Sequence, residues 1–169
     1  MGKGIRPDWY VSSLFALTPE EFRAHGIEGL LLDIDNTLVP NHVPDANEQV
    51  ITFISRMEEA GIRLAILSNA STHRKELFNR PLGLAVVNHA LKPFRKGYES
   101  GLALLGLPAG SAAMVGDQLF TDVWGANAAG VKSILVMPMH RNEPWYVRLK
   151  RLLERLMMGG MKPTTHLQA

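Results

Sequence analysis

The stretch Gly29-Leu30-Leu31-Leu32-Asp33-Ile34-Asp35-Asn36-Thr37 sets a short apolar run directly against a pair of acids. Three consecutive leucines bounded by polar residues read as a strand buried on both faces, the kind found in a parallel sheet. Past the strand end, residues 33 and 35 are two apart, so both carboxylates can point to one side. Carboxylates that close repel, and a fold keeps them where a cation or protons relieve the charge. Read alone, an Asp-rich turn also fits a plain loop or a helix cap. A calcium loop does not fit: its sixth and twelfth positions, which want Gly and Glu, are Leu38 and Pro44.

Working outward, four more apolar runs at 63–67, 84–87, 112–115 and 133–136 read as strands, and amphipathic segments separate them. This alternation predicts an α/β domain with a mostly parallel five-stranded sheet and helices on both faces. Thr18-Pro19-Glu20-Glu21 predicts a capping box that opens a short helix ending near Gly26. Asp45 with Glu48 predicts the start of the next helix, which stops at Gly61. Further helices are expected over 72–79, 97–105, 121–129 and 144–158. The expected organisation is one domain over 1–158, with an N-terminal extension (1–28) and a C-terminal amphipathic helix (144–158), followed by a flexible tail (159–169).

The 169 residues, 46% hydrophobic and 20% charged, suit one soluble core. With no cysteine, disulfides, thiolate catalysis and sulfur-ligated zinc are excluded. No apolar run approaches the roughly 18 residues of a membrane span, and the N-terminus lacks the apolar core of a secretory signal, so a cytoplasmic location is expected. Net charge is +2, and residues 140–155 carry a local excess of three positive charges. Because the rest of the chain has no broad basic face interleaved with aromatics, no nucleic-acid partner is expected.

Ligands of open α/β sheets collect at the carboxyl ends of the strands. There the chain places Asp33 and Asp35, then Ser68-Asn69, Lys92-Pro93 and Gly116-Asp117-Gln118 after successive strands. Asp33, Asp117 and Asp122 offer the hard oxygens that magnesium prefers. Lys92 would bring a fixed positive charge to the nucleophilic carboxylate and to phosphoryl oxygens, and Ser68 and the amide of Asn69 would donate hydrogen bonds to those oxygens. Each residue alone also fits an ordinary turn or a solvated charge; their order after successive strands is the signal.

With these motifs in place the chain resembles the haloacid-dehalogenase (HAD) superfamily, in particular its capless phosphatases of the YqeG family, which are similar to mitochondrial and plastid phosphatidylglycerophosphate phosphatases. The resemblance runs from about Gly29 to Val136 in motif order and strand context. It implies a three-layer Rossmann-like fold without a large cap and a Mg2+-dependent phosphatase working through an aspartyl-phosphate on Asp33. It also implies that Asp35 is the acid/base partner, that Thr37 helps hold the loop and, with Ser68, Asn69 and Lys92, binds phosphate, and that Lys92 is catalytic. Metal would be held by Asp33, the backbone carbonyl of Asp35 and Asp117, with Asp122 ligating through water or orienting Lys92.

The gaps from Asp35 to Ser68 and from Ser68 to Lys92 leave no room for a cap, so an open site suits a large substrate or a lid lent by another subunit of a homo-oligomer. The candidate is a lipid headgroup, phosphatidylglycerophosphate, met by peripheral contact at the inner face of the membrane; Arg74, Arg95 and Arg141 are candidate headgroup contacts. A soluble sugar phosphate, nucleotide or phosphoprotein is the alternative. An adaptor acting through the basic amphipathic helix is a reading of another class. The apolar face of that helix would pack on the domain, on another subunit, or on an anionic bilayer. Ile5, Trp9, Tyr10, Val11, Leu14 and Phe15 form a second apolar segment expected outside the catalytic core.

Overall fold

The computed structural model describes residues 4–139, 151–152, 154 and 156–168. In chain order its elements are β1 (Trp9–Val11), α1 (Pro19–Ala24), β2 (Gly29–Leu32), α2 (Glu48–Glu59), β3 (Arg63–Ile66), α3 (Thr72–Asn79), β4 (Ala85–Val86), α4 (Arg95–Leu105), β5 (Ala112–Gly116), α5 (Trp124–Ala129) and β6 (Lys132–Val136). The strands form one parallel sheet in the order β1-β6-β5-β2-β3-β4.

Strand periodicity sorts the core into two layers. Leu30, Leu32, Leu64, Ile66, Ala113 and Val115 face one side, where Phe22 of α1 and Val50, Phe53, Ile54 and Met57 of α2 cover them. Their alternates Leu31, Ala65, Leu67, Ala112 and Met114 face Tyr98 and Leu105 of α4 and Ala126 and Ala129 of α5. Each Leu so enclosed contributes about 1.5–3 kcal/mol through removal of apolar surface from water. The three-layer α/β arrangement expected from the sequence is thus present, with six strands rather than five.

The sixth strand is β1, an edge strand paired with β6. It brings Val11 and Leu14 fully into the core, so this segment is part of the catalytic domain rather than outside it. Three residues are too few to show a period, which is why the strand escapes a sequence reading. Residues 161–168 also depart from the expected flexible tail. Thr164 N donates to Tyr10 O (2.9 Å) and Ser12 N to Thr164 O (2.8 Å), and Leu167 is buried among the core residues.

The capping box of α1 forms as expected: Thr18 N donates to Glu21 Oε2 (2.8 Å) and Glu21 N to Thr18 Oγ1 (3.3 Å). At α2 the cap is Asn47, whose Oδ1 accepts from Val50 N (3.0 Å), and not Asp45. A cap must stand directly before the first helical residue, and Glu48 is that residue. Of the helix expected over 144–158, residues 144–150, 153 and 155 lie outside the described residues. Among the described ones, Leu152, Leu156 and Met157 are exposed while Arg151 and Glu154 turn inward. Of its described apolar residues, Met158 packs against the Leu119, Val123 and Leu135 cluster while these three face outward, and the inward side of the helix also meets a buried carboxylate through Arg151.

Candidate active site

From β2 the chain winds to one side through β3 and β4, then crosses to the other through β5 and β6, where β1 is already the edge strand. The boundary between β2 and β5 is therefore the switch point, where the connections diverge and leave a crevice at the carboxyl edge. Asp33 follows β2 there and Asp117 follows β5. Asp33 N donates to Val115 O (3.0 Å), which continues the ladder and fixes Asp33 beside β5.

Lys92 reaches the same point from the loop after β4. Its Nζ is 2.9 Å from Asp33 Oδ1 and 2.6 Å from Asp122 Oδ1, and its side chain is only 2% exposed. Burial works to neutralise this ammonium, but the charges of Asp122 and Asp33 outweigh it and hold the pKa above its ordinary value. Two devices fix the loop. Lys92 N donates to Asn69 Oδ1 and Asn69 Nδ2 to Lys92 O, both at 2.9 Å, so the loops after β3 and β4 are tied together. Lys75 on α3, itself buried, donates to Val87 O (3.1 Å) and Asn88 O (2.7 Å) just upstream.

Asp122 lies on a π-helical turn after β5 and folds back so that its Oδ2 accepts from Gln118 N (3.0 Å). Gly116 permits this. A Cβ at that position would lie 2.1 Å from Asp122 Oδ2, far inside contact distance. Burial raises the pKa of Asp122, against the pull of Lys92. Burial also pushes Asp117 up to about 7, with the charges of Asp122 and Asp33 adding to it and Arg151 pulling the other way.

Asp33, Asp35, Ser68, Asn69, Lys92 and Gln118 line an open cavity of about 250 Å³. Asp117 and Asp122 are buried beside it. Thr37 is buried too; its hydroxyl has no hydrogen-bond partner among the described residues, and it is not in the cavity wall. A larger surface groove of about 390 Å³ between Phe15, Thr52, Phe53 and Arg56 shares no residue with this constellation.

A hard cation fits the residues present. Asp33, Asp117 and Asp122 each present a carboxylate oxygen within 4.8 Å of the others. Asp117 Oδ1 is buried without a hydrogen-bond partner among the described residues, as an oxygen reserved for a cation would be.

Two arginines enter the site by routes that sequence does not show. Arg151 Nη2 donates to Asp117 Oδ2 (3.0 Å), bringing the C-terminal helix onto the acidic cluster. Arg74 Nε and Nη2 donate to Asp35 Oδ1 at 3.2 and 3.0 Å. Of the other candidate headgroup contacts, Arg95 pairs with Glu99 at the surface (2.8 Å) and Arg141 lies outside the described residues.

A probable phosphatase, YqeG of Bacillus subtilis (strain 168), is 35% identical to the chain, covering 98% of this chain and 96% of that protein. The chain belongs to the HAD-like phosphatase family. The HAD-hydrolase-like family model matches residues 89–138, the segment that carries Lys92, Asp117 and Asp122. Phosphatidylglycerophosphate phosphatase 1, chloroplastic/mitochondrial, of Arabidopsis thaliana is 27% identical over 96% of this phosphatase, which spans about half (51%) of that protein. Among solved structures, the cobalt-bound deoxy-D-mannose-octulosonate 8-phosphate phosphatase YrbI of Haemophilus influenzae superposes with a TM-score of 0.54. That match, at 16% identity over 80% of this chain and 90% of the other, shows a shared fold. No helix of the phosphatase among its described residues is long and apolar enough to cross a membrane.

Proposed function

We propose that the chain is a Mg2+-dependent phosphatase that hydrolyses a phosphate monoester in two steps through Asp33, and that its substrate is phosphatidylglycerophosphate. The observation that carries the chemistry is the contact of Lys92 with both Asp33 and Asp122 beside an unsatisfied Asp117 oxygen. Asp33, Asp117 and Asp122 would hold the cation, Asp122 directly or through water, with the backbone carbonyl of Asp35 as a further ligand. When bound, Mg2+ supplies charge neutralisation to the transferring phosphoryl oxygens.

A carboxylate oxygen of Asp33 attacks phosphorus in line while the ester P–O bond breaks, and protonated Asp35 gives its proton to the departing alkoxide. Lys92, Ser68 and the Asn69 amide hold the phosphoryl oxygens. In the second half, Asp35, now a carboxylate, takes a proton from the water that attacks phosphorus. The bond from Asp33 to phosphorus then breaks, releasing inorganic phosphate and restoring both residues.

The lipid assignment is supported by the open cavity, which no cap covers among the described residues, and by Leu152, Leu156 and Met157, exposed on the same helix that Arg151 anchors at the site. Such a face suits peripheral contact with an anionic bilayer. Its test is phosphate release, with Mg2+, from phosphatidylglycerophosphate in mixed micelles against a panel of soluble phosphate esters. Ready cleavage of the soluble esters with the micelles untouched overturns the lipid assignment.

Metal binding should follow pH through Asp117. In the metal-free protein this carboxyl, raised to about 7, is protonated below that pH, and a cation must displace the proton. Calorimetric Mg2+ affinity is expected to fall about tenfold per pH unit just below 7, more steeply below about 6 where Asp122 also takes up a proton, and to level above 7. An affinity flat between pH 5 and 8, a range about two units wide below the midpoint, would show that Asp117 is not a ligand.

A further inference from the structure

We propose that Arg74 is a positioning residue that fixes the Asp35 carboxyl in the orientation from which it transfers its proton; this rests on the acid/base role proposed for Asp35. The sequence suggests a substrate contact for Arg74, but the structure commits its guanidinium elsewhere. Nε and Nη2 both donate to Asp35 Oδ1, at 3.2 and 3.0 Å, and Nη1 donates to the carbonyl of Pro44. The side chain is 16% exposed and is absent from the cavity wall.

The anchor is rigid at its base. Arg74 stands in the first turn of α3, its N–H donates to the capping Ser71 Oγ (3.2 Å), and its guanidinium lies 5.8 Å from the centre of the Phe78 ring. Asp35 and Pro44 both belong to the long connection from β2 to α2. Arg74 therefore ties that connection at two points to the helix that follows Ser68-Asn69.

This matters because Asp35 is otherwise loosely held. Its side chain is 35% exposed, and a short acid in that setting samples several rotamers. Both bonds from Arg74 end on Oδ1, and no described hydrogen bond engages Oδ2. One carboxyl oxygen is thus pinned and the other is left for the proton. Holding an acid in its productive orientation lowers the barrier by removing the entropy of finding it.

In kcat/KM, which reports the steps up to departure of the leaving group and not the later hydrolysis in which Asp35 is the base, a missing or misplaced acid harms only esters whose leaving group needs a proton. The test measures kcat/KM with Mg2+ for p-nitrophenyl phosphate, phenyl phosphate and glycerol 3-phosphate in the wild type, Arg74→Met, Arg74→Lys, Asp35→Asn and the double variant Asp35→Asn/Arg74→Met. Methionine keeps an unbranched stem over Phe78, and denaturation midpoints check that each variant is folded. The expected result for Arg74→Met is a loss of about 10- to 100-fold on glycerol 3-phosphate and less than about 3-fold on p-nitrophenyl phosphate, with Arg74→Lys intermediate. In the double variant, Arg74→Met should add nothing to Asp35→Asn.

An equal loss on all three esters, or none, with the leaving-group trend intact in Asp35→Asn, overturns the role of Arg74 alone. Should Asp35→Asn itself show no trend, the acid/base assignment of Asp35 fails, and the inference falls with it.

Discussion

Asp33→Asn is expected to lose phosphatase activity by roughly 10⁴-fold or more, with its denaturation midpoint near or above that of the wild type. An amide has nearly the shape of a carboxylate but cannot act as the attacking oxygen, so the route through a covalent intermediate closes. Stability should survive for an electrostatic reason. Asp33 is one of three buried carboxylates whose oxygens lie within 4.8 Å, and removing one relieves repulsion between the other two and itself. Lys92 keeps Asp122 at 2.6 Å as its counter-charge. Phosphate release and urea denaturation on one preparation separate the two effects. Retention of more than about one per cent of wild-type kcat/KM by a folded Asp33→Asn variant would remove Asp33 from the role of nucleophile.

Lys92→Met has the opposite signature: both stability and activity fall. Its ammonium bonds Asp33 and Asp122 in a site where it is 2% exposed. Deleting one side of a buried ion pair leaves uncompensated charge and costs about 3–5 kcal/mol. The loss should shrink as pH falls, because Asp122, whose pKa burial raises, takes up a proton and removes a charge that Lys92 balances. Saturating Mg2+ should recover part of it for the same reason. A metal-free Lys92→Met protein within about 1 kcal/mol of wild type at neutral pH would mean that the carboxylates are neutral there and the ion-pair account is wrong.

Much of this site could be read in the chain because its residues follow apolar runs. Asp33, Ser68, Lys92 and Asp117 come just after strands or in the next loop, and a parallel sheet puts all strand ends on one edge. That argument needs only chain order and strand polarity, and Asp33 and Lys92 do meet, at 2.9 Å; the contact of Asp122 with Lys92 is outside its reach and rests on the family resemblance. It does not reveal which strands are neighbours. That β5 lies against β2, so that Asp117 stands beside Asp33, depends on how the crossovers pack.

What escaped the sequence escaped for related physical reasons. Arg151 is one of several cations in the sequence over 140–155, and nothing in its spacing distinguishes the one that meets Asp117 Oδ2. Arg74 could be named as an anion contact, but that its anion is Asp35 of the same chain follows from the reach of α3 over the loop after β2. The strand at Trp9–Val11 and the bridge from Val11 to Thr164 are pairings between the two ends of the chain, and local patterns carry no information about them.

The most direct test of the two-step reading is to trap the intermediate. The enzyme is mixed with Mg2+ and a turned-over monoester, quenched in acid during steady state, digested, and its peptides mapped by mass spectrometry. The expected result is one added phosphoryl group on Asp33, absent from the Asp33→Asn protein. Continued phosphate release with the phosphoryl group on another residue would contradict the account.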